Sequence, residues 1–398
     1  MITTRTTREM MTMTEQQPLH LAVALDTVGW HPAAGAGPDA PDGDLFGLAH
    51  WTELVQEAER GLLDFVTLED PPKRPTGPVQ YRLDALVVAA AVASRTEHIG
   101  LVPTGVIDQV QPTRIARAIA TLDHVSGGRA GWRTQTTPAR PIELAELFTP
   151  EVQRPMAELF ERAADLVRVV RGLWDGVDDE KALRDLAPGR FAPADPDPGG
   201  SFTEIEPLGG AAGDWLTIDS PALAPRAPQG HPLIFTLAHI TLPYRYGARS
   251  ADVVSVTPHS TDEARATVEE IRAEQAAAGR ADQKVHVFAD VVVFLDSTPG
   301  RAAERRARLD EEYGSEFTSD AHIAAGTPAE VADLLLEWQG AGLSGYRLRP
   351  GALPHDLTAI TRELVPELQA RGAFRTAYEA TTLRERLGLP LPAAPDVR

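Results

Sequence analysis

The chain contains no cysteine. Disulfides, thiolate metal sites, iron–sulfur ligation and cysteine nucleophiles are therefore excluded. Basic residues are scarce: 38 Lys and Arg face 57 Asp and Glu, a formal net charge of −19, and no long basic stretch occurs. Nucleic acid is excluded as a partner on that ground, because phosphate binding needs clustered cations. No apolar run is long enough for a bilayer-spanning helix, so no membrane association is expected. The opening stretch, Met1–Gln17, is rich in Thr and Met and lacks the apolar segment of a secretory signal. A cytoplasmic protein is expected, with residues 1–17 a disordered tail. The chain also lacks a His-x-x-x-His pair, a Gly-x-Ser-x-Gly elbow and a P-loop. No metal site, serine-hydrolase site or nucleotide cradle of the usual kind is signalled.

What is present is an α/β rhythm. Apolar residues make up 43% and charged residues 24%, enough apolar side chain for a large core. Eight β-rich runs are legible: His20–Asp26, Leu63–Asp70, His98–Gly105, Arg129–Thr137, Pro232–His239, Asp252–Pro258, Val285–Asp296 and Gly345–Pro350. Several are nearly continuous apolar runs, as strands buried on both faces must be. Helical spacing fills most gaps, at Leu48–Arg60, Leu83–Ser94, Pro112–His124, Pro155–Trp174, Asp262–Ala278 and Pro328–Gly340. Thr327-Pro328-Ala329-Glu330 reads as an N-cap, a proline in the first turn and a capping-box acid.

Eight alternations predict a closed (β/α)8 TIM barrel. An open doubly wound sheet is the alternative. The strand count and the lack of a Gly-rich first turn favour the barrel. One barrel domain is expected over residues 18–390, followed by a short tail at 391–398. The Pro-, Gly- and Asp-rich stretch at about 175–228 reads as an insertion beside the barrel mouth.

In such a barrel the chemistry sits at the C-terminal strand ends. Those ends carry Asp26, Glu69, Asp70, Thr104, Thr136, Thr137, His239, Thr257 and Arg349. Each also has a purely structural reading. Asp26 and Asp70 suit loop caps. Thr136 and Thr137 suit a strand whatever their role. His239 suits a packed, hydrogen-bonded imidazole, and Arg349 suits an ion pair.

Three segments add to this. Gly29-Trp30-His31-Pro32 precedes Glu57-Ala58-Glu59-Arg60-Gly61-Leu62-Leu63-Asp64-Phe65-Val66. Leu122-Asp123-His124-Val125 runs into Ser126-Gly127-Gly128-Arg129-Ala130-Gly131-Trp132. Gly326-Thr327-Pro328-Ala329-Glu330-Val331 is followed by Leu348-Arg349-Pro350 and Val365-Pro366-Glu367-Leu368-Gln369. Together these resemble the nitrilotriacetate monooxygenase-related branch of the bacterial-luciferase-like flavin monooxygenases, from about His20 to Leu389. The resemblance implies a two-component enzyme that takes reduced FMN from a partner reductase and uses O2 to oxidise a small organic substrate. It also implies a homodimer or tetramer, in keeping with the apolar helix Leu83–Ser94. Carried onto this chain, the flavin ring falls near Asp70 and Thr104, and the phosphate near Arg133, Thr136, Thr137, His239 and Thr241.

The chain departs from the family pattern around the same ligand. Arg133 replaces a neutral amide, and Thr137 replaces a serine. Leu159-Phe160 stand where Arg-Tyr is common. After the fifth strand, Leu237-Ala238-His239-Ile240-Thr241-Leu242-Pro243-Tyr244 lacks the glycines and serine of a phosphate-binding loop, and Pro243 removes an amide donor. A deazaflavin-dependent oxidoreductase, or a barrel without flavin chemistry, are the alternative readings.

Overall fold

A computed structural model describes residues 18–35, 40, 41, 43–71, 79, 81–107, 110–137, 150–175 and 225–393. The expected tail at 1–17, most of the expected insertion at 175–228 and the last five residues lie outside the described residues.

The nine strands are β1 (His20–Leu25), β2 (Phe65–Leu68), β3 (Gly100–Val106), β4 (Gly131–Gln135), β5 (Leu233–Leu237), β6 (Val253–Val256), β7 (His286–Leu295), β8 (His322–Gly326) and β9 (Gly345–Pro350). All pairings are parallel, and β1 to β7 with β9 close into a ring of eight strands: β6 pairs with β7, β7 with β9, and β9 with β1. The (β/α)8 expectation holds. Each of the eight sequence-read runs falls on one of these barrel strands.

The ninth strand, β8, was not legible as one. It reads His-Ile-Ala-Ala-Gly, short and only partly buried. Its place follows from the length of β7. That strand spans ten residues; its first half pairs with β6, and its second half, Val291–Leu295, pairs with β8. So β8 occupies the edge of β7 that β6 is too short to cover, and raises the barrel wall on that side.

The helices that shape the mouth are α1 (Leu48–Arg60), α2 (Ala85–Ala93), α3 (Pro112–Ser126), α4 (Pro150–Asp175), α5 (Thr241–Ser250), α6 (Thr261–Ala277), α7 (Pro299–Tyr313) and α8 (Pro328–Gln339). Asp84 caps α2 by accepting from Val87 N at 2.9 Å, which starts this helix two residues later than its apolar run suggests. The Thr327–Glu330 capping box on α8 is formed in both directions. Gly127 and Gly128 take φ values of 68° and 88°, and this left-handed pair turns the chain from α3 into β4. Of these eight helices, α5 and α7 were not read from the sequence. Charged residues on both faces of α7 and the short, proline-containing start of α5 blur their 3.6-residue period.

Strand alternation fills the barrel in tiers. The lowest tier is apolar: Ala22, Phe65, Val102, Leu233, Phe235, Val253 and Phe288, joined from below by Leu383, Leu387 and Leu389 of the C-terminal segment. Phe65 meets Phe235 edge-on at 5.7 Å and stacks on Phe288 at 6.0 Å. Gly100 makes the room for this plug: a Cβ there would lie 2.7 Å from Phe65 Cβ and 2.8 Å from Leu383 Cδ2. One step up each strand the same inward face turns polar, with Thr67, Ser255, Asp290 and Arg347. Above them come Glu69, Thr104, Arg133 and Arg349. The floor is hydrocarbon and the mouth is ionic.

Candidate active site

The ionic tier is built by register. Asp290 on β7 lies directly opposite Arg347 on β9, and Arg349 follows two residues on, on the same face. Arg347 is fully buried. Its Nε donates to Asp290 at 2.9 Å, its Nη2 pairs with the same carboxylate, and its Nη1 reaches Glu69 at 2.8 Å and Thr67 at 3.0 Å. Arg349 Nε donates to Asp290 at 2.7 Å, and its two Nη groups grip Asp320 at 2.7 and 3.0 Å. Ser255 Oγ donates to Asp290 at 2.5 Å. Arg133 Nη1 lies 3.2 Å from Glu69 and donates to Thr104 Oγ1 and Gln135 Oε1, each at 3.1 Å. Three guanidinium groups thus interleave with three carboxylates across the barrel. Burial raises the Asp290 carboxyl, but Arg347 and Arg349 outweigh this and hold it well below the usual carboxylate range. Glu69 is lowered in the same way, against burial, by Arg133 and Arg347.

The expected site residues divide into two groups. Asp70 and Thr104 line one cavity of about 540 Å³ at the C-terminal end of β3, together with Val106, Val110, Arg114 and Ile115. Thr104 is buried and donates to Leu68 O at 2.7 Å. Asp70 is half-buried, and its carboxyl is raised by loss of solvent, against a weak bond from Ala85 N at 3.4 Å. Strand alternation alone left the direction of Arg133 open. The structure turns it inward, where it donates to Thr104 and lies close enough to His239 to act on its charge.

The second group sits at the ends of β4 and β5. Thr136 and Thr137 follow β4, half-buried, and Thr137 Oγ1 is buried without a partner among the described residues. His239 is 44% exposed, with Nδ1 3.0 Å from Thr257 Oγ1 and Nε2 3.7 Å from Asp320. Loss of solvent lowers its pKa, against the pull of Asp320, so the imidazole is neutral near pH 7. Thr241 opens α5 with an exposed side chain and makes no side-chain hydrogen bond among the described residues. The Leu237–Tyr244 segment is thus a short link and a helix start rather than an open loop. Pro243 falls in the first turn, where an N–H has no intrahelical acceptor to lose.

Asp26, read as a loop cap, instead forms an ion pair. Arg82 grips it at 2.6 and 2.8 Å, which ties the β1 loop to the approach of α2. Asp290, Arg347 and Asp320 were missed. The sequence did carry a signal for two of them: an aspartate inside the apolar run His286–Leu295, and the alternate arginines of Arg347-Leu348-Arg349. A charge on the inward face of a barrel strand must have a partner inside the barrel. Nothing near Asp320 marked it.

Asp320 gives the mouth an acid-sensitive tie. Burial raises its carboxyl, but Arg349 outweighs this and holds it at about 2. A carboxylate lowered on folding stabilises the fold above its unfolded value of about 4, and that share is lost as pH falls through the folded value. The stability difference between the wild type and Asp320→Asn is therefore expected to be flat above about pH 5 and to shrink between about pH 4 and pH 2. Urea midpoints across that range measure it. A difference that does not change with pH would contradict the tie.

A closed parallel barrel with a dry ionic tier and a cavity at its C-terminal mouth defines a barrel enzyme of small molecules. The chain belongs to the luciferase-like monooxygenase family, whose model matches residues 26–313, and it is accordingly an oxidoreductase of the flavin-dependent monooxygenase class. It is 26% identical to N-acetyl-S-(2-succino)cysteine monooxygenase of Bacillus subtilis (strain 168), over 95% of this chain and 98% of that one. It is 27% identical to nitrilotriacetate monooxygenase component A of Aminobacter aminovorans, over 96% and 98%. The solved structure of EDTA monooxygenase from Chelativorans sp. BNC1 superposes with a TM-score of 0.77 at 25% identity, over 94% of this chain and 99% of that one.

Proposed function

We propose that the protein is the oxygenase of a two-component system, taking reduced FMN from a separate flavin reductase and using O2 to oxidise a small organic molecule. The observation that carries this reading is the cavity of about 540 Å³ walled by Asp70 and Thr104, a size suited to a small-molecule site. Two orphaned polar atoms beside the mouth, Arg133 Nε and Thr137 Oγ1, fit a ligand rich in acceptors. FMN, when bound, supplies the redox chemistry with O2.

The chain's own side chains bind, orient and exclude water. Asp70, Thr104 and Arg133 would hold the ring end of the cofactor. Thr136, Thr137, His239 and Thr241 would hold its phosphate end. Asp70 stands on the cavity wall, its carboxyl raised above its ordinary value by loss of solvent. Glu69, Thr104 and Arg133 are buried, so a ligand above them meets a dry floor. A separate reductase fits the word "component" in the name of the nitrilotriacetate relative. A homodimer or tetramer fits the apolar outer face of α2, where Val87 is 64% exposed, and work in the cytoplasm fits a sequence without cysteine.

Anaerobic titration with reduced FMN tests the reading. The wild type is expected to bind. The double variant Thr136→Ala, His239→Ala is expected to bind about tenfold more weakly, the scale of a lost charged or paired hydrogen bond. Equal affinities would remove the phosphate from this place. A wild type that binds no FMN but binds a deazaflavin would replace the cofactor. Binding of neither would leave a barrel without flavin chemistry.

A further inference from the structure

We propose that FMN binds this protein together with one proton, which His239 takes up as the phosphate arrives, an inference that rests on reading the mouth as a flavin site. Of the four side chains assigned to the phosphate end, Thr136, Thr137 and Thr241 bring hydroxyls, which stay neutral. His239 alone can gain a charge. Its imidazole is engaged at one nitrogen. Nδ1 lies 3.0 Å from Thr257 Oγ1. Nε2 makes no hydrogen bond among the described residues: Asp320 stands 3.7 Å from it, beyond hydrogen-bond reach. The side chain is 44% exposed, so a ligand can reach it.

The charges around the ring balance. Asp320, from the approach to β8, and Asp290 on β7 favour its protonated form, while Arg349 on β9 and Arg133 on β4 oppose it. Two anions against two cations leave loss of solvent to decide, and the free imidazole is neutral. Asp320 is held back from Nε2 by Arg349, which grips both of its oxygens at 2.7 and 3.0 Å. A phosphate dianion beside Nε2 breaks this balance. An opposite charge that close raises the proton affinity of such a group by about 10- to 1000-fold. The imidazole is then protonated in the complex, and its Nε2–H gives the phosphate a charge-assisted bond.

Between the free and the bound pKa of His239, the complex carries a proton that the free protein lacks. Binding in that window takes up the proton, and affinity falls as pH rises, by at most about tenfold per pH unit. Below the window the imidazole is charged in both states. Above it the imidazole is neutral in both, and the dependence vanishes. Riboflavin has no phosphate and draws no proton. The phosphate of FMN loses its own second proton near about pH 6, and that step is common to every variant.

Anaerobic titrations with reduced FMN and reduced riboflavin test this from about pH 6 to about pH 9, for the wild type, His239→Gln and Asp320→Asn. Calorimetry in two buffers of different ionisation heat counts the protons. In the wild type, the advantage of FMN over riboflavin is expected to shrink by about tenfold or more above about pH 7, with proton uptake for FMN and none for riboflavin. His239→Gln keeps a neutral donor and is expected to bind FMN with an advantage that does not change above about pH 7. Asp320→Asn removes an anion that favours the charged imidazole, so the fall is expected at lower pH; a merely structural role for Asp320 would not move it. An advantage for FMN that is independent of pH in the wild type overturns the proposal and makes His239 a neutral donor. Proton uptake that survives in His239→Gln also overturns it. Both results leave the flavin reading standing, whereas a wild type that binds neither flavin overturns that reading and the proposal with it.

Discussion

Asp290→Ala is expected to destabilise the protein by roughly 3–5 kcal/mol, the usual cost of removing one partner from a buried ion pair. Asp290 is fully buried and accepts from Arg347, Arg349 and Ser255. Without it, Arg347 keeps Glu69, Thr67 and the face of Phe235, and Arg349 keeps the half-exposed Asp320 and the face of Trp30. Two guanidinium groups then share the interior with too little negative charge, and water cannot enter past the apolar floor to solvate them. The loss does not mean that the network adds that much stability over an apolar core, because desolvation of all six charged groups offsets much of their attraction. Denaturant midpoints check the expectation. Asp262→Ala serves as control, since Asp262 pairs with Arg265 at 94% exposure and its removal is expected to cost under about 0.5 kcal/mol. A loss under about 1 kcal/mol for Asp290→Ala would mean that the tier is not load-sharing in the way described.

Opening the floor is expected to do more. Leu383 and Leu387 are fully buried under the barrel, and Leu389 is nearly so. The segment is held by polar ties as well. Leu387 O accepts from His286 Nε2 at 2.8 Å and Lys284 Nζ at 3.1 Å, and Arg386 Nη1 donates to Asp64 O at 2.9 Å. Burial pushes the His286 imidazole down to about 3, so it stays neutral and can donate through a single N–H. Leu383→Ala or Leu387→Ala is expected to cost about 2–5 kcal/mol each, the range for large-to-small changes in a packed core. Truncation before Thr382 removes all three leucines and uncovers Phe65 and Phe288 to water, and the truncated chain is expected not to accumulate as a cooperatively melting protein. A truncated chain that melts cooperatively within a few degrees of the full one would show that the segment only covers the barrel end.

The sequence made the barrel legible because burial on both faces writes parallel strands as apolar runs, and His286–Leu295 and His20–Leu25 are such runs. It hid β8, since a strand that covers one edge of a longer neighbour needs neither length nor full burial. It hid α7 because that helix buries little beyond Ala302, Arg305 and Leu309. The mouth was legible by position, as strand ends. Partnership was not: that Arg133 would turn to Thr104 and Glu69, or that Asp320, from the approach to β8, would meet both Arg349 and His239, depends on closure between segments far apart in the chain. Asp290 and Arg347 were legible in part, since a charge in an apolar strand announces a buried partner but does not name it.

The central claim is that the C-terminal mouth of this barrel is a flavin site. A crystal soaked anaerobically with reduced FMN tests it most directly. The account predicts density for the ring against Asp70 and Thr104, with the phosphate toward Thr136 and Thr137. Ordered flavin bound away from the mouth, or an empty mouth at saturating FMN, would contradict it.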